Sequence, residues 1–170
     1  MNTELFTAIE KFSNLATNHL DALFSKMGCG HSKSKSRILS SITFCDESVY
    51  FKATETLDSS KEQTWVSSMS LNDFMDCIAD SIDMEKEEAL KSFNQMNSVI
   101  SQLYQKESIV LKDINKVYGV DIQDHEILNA SIGNKTIHFV CLTGNGSHVG
   151  YDLDINFLDE ILLRSPHNPE

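Results

Sequence analysis

A thiol becomes a nucleophile when an imidazole stands within hydrogen-bond reach and a third polar group orients that imidazole. The sequence offers one such set, Cys29 with His148 and either Asp152 or Asn129 behind it. A cysteine used this way normally opens an apolar helix, whose N-terminal dipole lowers its pKa. Cys29 instead leads into a run of Ser and Lys ending at Arg37, so no hydrolysis dependent on Cys29 is expected. Cys45, Cys77 and Cys141 are isolated too, with no C-x-x-C pair and no His at zinc-module offsets, so neither a structural metal nor a cofactor is expected. Cys77 among Phe74, Met75 and Ile78, and Cys141 alternating with Ile137 and Phe139, read as small buried hydrophobes.

The run from Gly146 to Asp154, Gly-Ser-His-Val-Gly-Tyr-Asp-Leu-Asp, resembles the strand that carries the general base in papain-like thiol hydrolases. That resemblance implies Cys29 as nucleophile and His148 as base. Other local patterns lead nowhere. Met27 to Ser32 looks like a Gly-Cys acylation site, but it is internal, and acylation needs a free glycine amine. Asp152, Asp154 and Asn156 imitate the start of a calcium loop, yet Phe157 stands where Gly is needed and Leu163 where Glu is needed. Gly144-Asn145-Gly146 is a turn, since neither dinucleotide-fingerprint spacing nor a following Lys-Ser is present.

Charge is more informative. The 170 residues carry a net charge of −11. Residues 46–90 hold twelve acids against Lys52, Lys61 and Lys86, which is −9. Asp73, Asp76, Asp80, Asp83 and Glu87 recur at offsets of three and four, so one continuous helix would align five carboxylates over about 21 Å. Such a row suits a basic partner, in the manner of a DNA-mimic inhibitor. The rival surface is an apolar groove beside Trp65 and Leu71. Direct nucleic-acid binding is disfavoured, because phosphate contacts need Lys and Arg.

These residues must be positioned by elements that the periodicity supplies. Leu5 to Met27 predicts one long helix behind a Thr3 cap, ended by Gly28. Residues 28–36 read as a flexible linker with a basic island of His31, Lys33, Lys35 and Arg37. Ile38, Ser40, Ile42 and Phe44 share one strand face; a turn near Asp46-Glu47, a return through Val49, Phe51 and Ala53, and a run from Gln63 to Met69 complete a meander. Ser70 with Asp73 begins a helix, Asp83 caps a longer one, and a shorter piece ends at Gly119. Three strands follow over 127–132, 136–142 and 148–153, and Asp154 caps a last helix stopping before Pro166. Leu5, Phe12, Phe44, Phe51, Phe93, Ile100, Ile137 and Phe139 are the expected core.

Strands in blocks separated by helices predict one α+β domain over 1–170, an antiparallel sheet with an N-terminal helix, long middle helices and a C-terminal helix. The two strand-strand-strand-helix blocks suggest a pseudo-twofold. No apolar stretch reaches the roughly 20 residues of a membrane span and no secretory leader is visible, so a cytoplasmic protein is expected. The element order resembles that of type III secretion chaperones. That resemblance implies a homodimer that wraps an extended segment of a protein partner without turnover. A small acidic inhibitor or immunity protein is the alternative within the same non-enzymatic class.

Overall fold

The computed structural model describes residues 3–165; Pro166 and the Thr3 side chain lie outside it. The order is α1 (Thr3–Asn18), α2 (Leu20–Met27), β1 (Ser34–Cys45), β2 (Ser48–Leu57), β3 (Glu62–Ser70), α3 (Leu71–Cys77), α4 (Asp83–Gln105), α5 (Glu107–Tyr118), β4 (Glu126–Gly133), β5 (Thr136–Leu142), β6 (His148–Asp154) and α6 (Phe157–Leu163). The α+β class follows. All six strands form one antiparallel sheet in the order β3-β2-β1-β4-β5-β6, so two meanders meet through their first strands, as a pseudo-twofold would place them. Among the described residues no helix is long and apolar enough to cross a membrane.

Strand side chains alternate between faces. Ile42, Phe44, Val49, Phe51, Ala53, Ile132, Ile137, Phe139, Cys141 and Leu153 are buried on one face, against Phe12 of α1, Phe74 of α3 and Phe93 of α4. Every residue of the expected core is buried, as is Cys77. The Asp46-Glu47 turn has positive φ at both residues, the geometry a two-residue hairpin needs. Gly28 and Gly119 end α2 and α5 in the left-handed region.

Several expectations need correction. The first helix breaks at His19, whose ring Nδ1 lies 2.9 Å from the Leu15 carbonyl and Nε2 3.0 Å from the Ser81 hydroxyl. The same contact ties the helix break to the loop between α3 and α4. The linker is shorter than 28–36, because β1 begins at Ser34 and absorbs the Ser/Lys run. A register shift between Leu39 and Ser41 turns Ile38 away from Ile42 and Phe44, so Ile38 is 65 % exposed. Ser70 does cap α3, accepting the Asp73 N–H. Asp83 is the first residue of α4, behind Ile82 at the cap position. Asn156 rather than Asp154 precedes α6, and the Asp154 carboxylate accepts the Asn156 N–H just ahead of it.

α6 is anchored by its C-terminal end. The Lys106 ammonium donates to the carbonyls of Ile161, Leu162 and Arg164, which no intrahelical N–H satisfies. Arg164 in turn pairs with Asp113, which is buried in α5. Replacing Lys106 with Met keeps the stem and removes these bonds. A loss of about 2 kcal/mol is expected, with α6 amides losing hydrogen-exchange protection ahead of the sheet; unchanged α6 protection would contradict the anchoring.

Candidate functional site

The acidic row does not exist as one row. α3 stops at Cys77 and α4 starts at Asp83, because Ile78 drops into the core and the chain needs residues 79–82 to climb out. Asp73 and Asp76 face Lys26, at 3.7 and 3.1 Å. The Asp76 hydrogen bond raises the Lys26 pKa. Asp80 sits 3.3 Å from His19 Nε2. Asp83 and Glu87 are exposed on α4, whose Glu88 pairs with Lys11 at 3.1 Å.

Trp65 and Leu71 both pack, partly buried, against the core. Trp65 faces the helices, and its Nε1–H donates to Glu55 at 3.0 Å. Leu71 opens α3, half-buried against the core. Glu55 is the group that sequence reasoning missed. Its side chain is 0 % exposed and also accepts from the His31 backbone N–H at 3.2 Å and from Arg37 Nε at 3.3 Å. Burial pushes its pKa up, and these three donors outweigh that and leave it below the ordinary value. The signal was available: period two along Val49, Phe51, Ala53 and Leu57 puts Glu55 on the inner face, where a carboxylate demands a cation. Arg37 also reaches Asp21 at 2.8 Å and stacks over Phe24 at 4.4 Å.

The thiol and the histidine of the hydrolase pattern are apart. Cys29 lies beside Glu55 and Arg37, and burial followed by the Glu55 charge holds its thiol above the ordinary pKa. That is the opposite of an activated nucleophile. His148 starts β6, three strands from β1, which is about 14 Å at ordinary strand spacing. The orienting groups serve other residues. Asp152 Oδ1 meets His138 Nδ1 at 2.6 Å, and Asn129 holds the Cys45 thiol at 3.3 Å. Ser131 lies across from His138, completing a Ser-His-Asp order over β4, β5 and β6. The His138 ring leans over Gly150 on β6, where an added Cβ would meet Cε1 at 3.0 Å, and so points away from Ser131. Among the described residues no group of three His, Cys, Asp or Glu side chains could hold a metal ion.

Of the recesses among the described residues, two border the groups discussed above. The larger, about 900 Å³, opens between the helix break and the start of β1; its guanidinium, Arg37, is already committed to Asp21, Glu55 and the His31 carbonyl. The other, about 500 Å³, lies on the outer face of the sheet, lined by Thr43, Cys45, Tyr50, Asn129, Ser131 and His138. It sits where β1 and β4 part after only two residue pairs, Thr43↔Gly133 and Phe44↔Ile132. Beyond them the Ala130 N–H turns to the Tyr104 hydroxyl at 2.9 Å.

That recess is the centre of a larger surface. Every buried strand residue except Ser131 belongs to one face, so among the described residues the other face is largely uncovered. Alternation assigns it Ile38, Thr43, Tyr50, Thr54, Val66 and Val140, with Ser and Thr between them. Its formal charges are Lys52 on β2, Glu62 on β3, Glu126 at the first position of β4, and Asp152 and Asp154 on β6, while Lys35 sits at a register shift in β1. Compared with known family models, curated proteins and solved structures, the chain matches none.

Proposed function

We propose that the protein is a non-catalytic binding module of the chaperone or adaptor kind, docking a protein partner on the outer face of its sheet. One observation carries the reading: a chain of net charge −11 leaves only Lys52, Glu62 and Glu126 as formal charges on the outer face of β2 to β5, with Asp152 and Asp154 confined to the β6 edge. A sheet face meant for water normally alternates outward Lys and Glu. Interface centres are instead depleted of charge, because each charge must be desolvated, and they favour Tyr and exposed aliphatics. Tyr50, Ile38 and Val66 supply those at 42 %, 65 % and 66 % exposure. The acids stand on the rim and on the helices, where basic groups of a partner would speed encounter. The element order that resembles type III secretion chaperones supports the same class. An inhibitor acting on a basic surface is less well supported, since the five carboxylates are split between two helices and the loop joining them, and two of them already pair with Lys26.

Affinity capture from the native host tests this with three full-length baits. One is the parent. The second carries Thr43→Arg, a charge at the centre of the face, and the third Asp80→Asn, Asp83→Asn and Glu87→Gln. A partner held by the parent should be weakened tenfold or more by Thr43→Arg, whereas the triple variant should slow association and flatten its salt dependence. A partner indifferent to Thr43→Arg would overturn the reading.

A further inference from the structure

The two edges of the sheet are treated differently. At β6, the Ile155 N–H to Lys135 carbonyl bond at 2.9 Å fixes the alternation, so the backbone groups of His148, Gly150 and Asp152 point away from β5. Both groups of Asp152 are taken by one hydroxyl. Tyr118 Oη donates to the Asp152 carbonyl at 2.7 Å and accepts its N–H at 3.1 Å. The Asp152 and Asp154 carboxylates flank that plug. This edge is closed to a further strand.

Among the described residues β3 has no such guard. Its pairing with β2 runs unbroken from Ser48↔Ser70 to Thr56↔Glu62, without a bulge. Between Gln63 and Ser70 there is no Lys, Pro or other charged residue. The Leu57 N–H to Lys61 carbonyl bond at 2.8 Å closes the hairpin, so Gln63, Trp65, Ser67 and Met69 bond to β2. The backbone groups of Thr64, Val66 and Ser68 then point outward, and all three residues are exposed. Natural edges of this length and flatness are almost always blunted or paired.

We propose that β3 pairs antiparallel with β3 of a second copy, across a two-fold axis at Val66, making the protein a homodimer with one continuous sheet. The strand is its own complement in that register. Val66 faces Val66, Thr64 faces Ser68 and Trp65 faces Ser67 of the second copy, so no like charges are opposed. The three outward residues supply about six backbone hydrogen bonds. Lys61, one residue before the strand, falls beside the first turn of the second copy's α3, which carries Asp73. One open and one closed edge select a closed pair over a filament, which two open edges would permit. The inference goes beyond the docking proposal and stands without it: the dimer uses an edge, and the partner uses a face.

Salt dependence separates the two. Bodies of net charge −11 repel at long range and backbone hydrogen bonds do not, so the dimer should tighten as salt rises, whereas capture of a basic partner should weaken. Sedimentation velocity of the full chain over a dilution series at two salt concentrations should show a monomer–dimer equilibrium of that sign. Val66→Lys sets two ammonium groups face to face and should raise the dissociation constant at least tenfold. Thr64→Pro removes an outward N–H without touching a β2 bond and should do the same, with unchanged circular dichroism showing that each variant folds. In the parent, the Thr64, Val66 and Ser68 amides should exchange more slowly at dimer concentrations than on dilution. A parent that stays monomeric, or a dimer that both variants leave intact, would overturn the proposal.

Discussion

Truncation of Phe12 to Ala is expected to lower the unfolding free energy by about 3–5 kcal/mol, the range for a buried aromatic whose cavity cannot collapse. Phe12 stacks on Phe74 with ring centroids 4.4 Å apart and meets Phe44 edge-on at 5.1 Å. Phe74 in turn stacks on Phe51 at 6.1 Å, and Phe44 meets Phe93 at 6.4 Å. One ring thus joins α1, α3, α4 and two strands, and its loss removes aromatic contacts as well as buried area. Phe6 on the same helix only flanks this cluster and should cost less than half as much when truncated. Urea midpoints measure both. Equal midpoints for parent and Phe12→Ala would mean that α1 is wrongly placed.

The second large effect concerns charge. Arg37→Met keeps the stem over Phe24 and strands the Glu55 carboxylate with only the Trp65 and His31 donors. Breaking a buried ion pair from one side costs about 3–5 kcal/mol, and the two surviving hydrogen bonds put this case at about 3. The pH profile carries the sign. Glu55 titrates below its ordinary value of 4.5 in the folded protein, so its contribution is complete above that value and is lost as the pH falls through the lower folded pKa. Chemical denaturation at pH 7 and at pH 3 should therefore show the difference between parent and Arg37→Met shrinking at the acid end. A penalty independent of pH would assign the loss to packing.

The elements were legible where periodicity runs long and is punctuated. The strands 62–70, 136–142 and 148–154 and the glycine ends of α2 and α5 follow from alternation and from Gly28 and Gly119. The breaks were not. His19 lies within an intact apolar stripe, and what interrupts it is a tertiary contact to Ser81, which no local pattern encodes. The bulge at Ser40 reassigned Ile38 from the core to the surface, since shifting an alternation by one residue exchanges the faces. The carboxylate row failed for a related reason. Its spacing was helical, but the buried Ile78 required the chain to leave the helix between its second and third members. The outer face was hidden because Ser and Thr on a strand look unremarkable until all six strands are known to share one covered side.

The narrow junction between the meanders sets the course of folding. Within each meander the strands are sequence neighbours, so their hairpins close short loops and can form early. Thr43 and Gly133 are 133 − 43 = 90 residues apart, and only one further pair supports their contact. Closing a loop of that length costs entropy that two residue pairs repay poorly. The reward comes from α4, whose buried Phe93, Met96, Ile100 and Leu103 belong to the core that the two halves share. The expected order is that each half takes shape first and that docking both onto α4 comes late, so truncation of Met96 should slow folding less than it speeds unfolding.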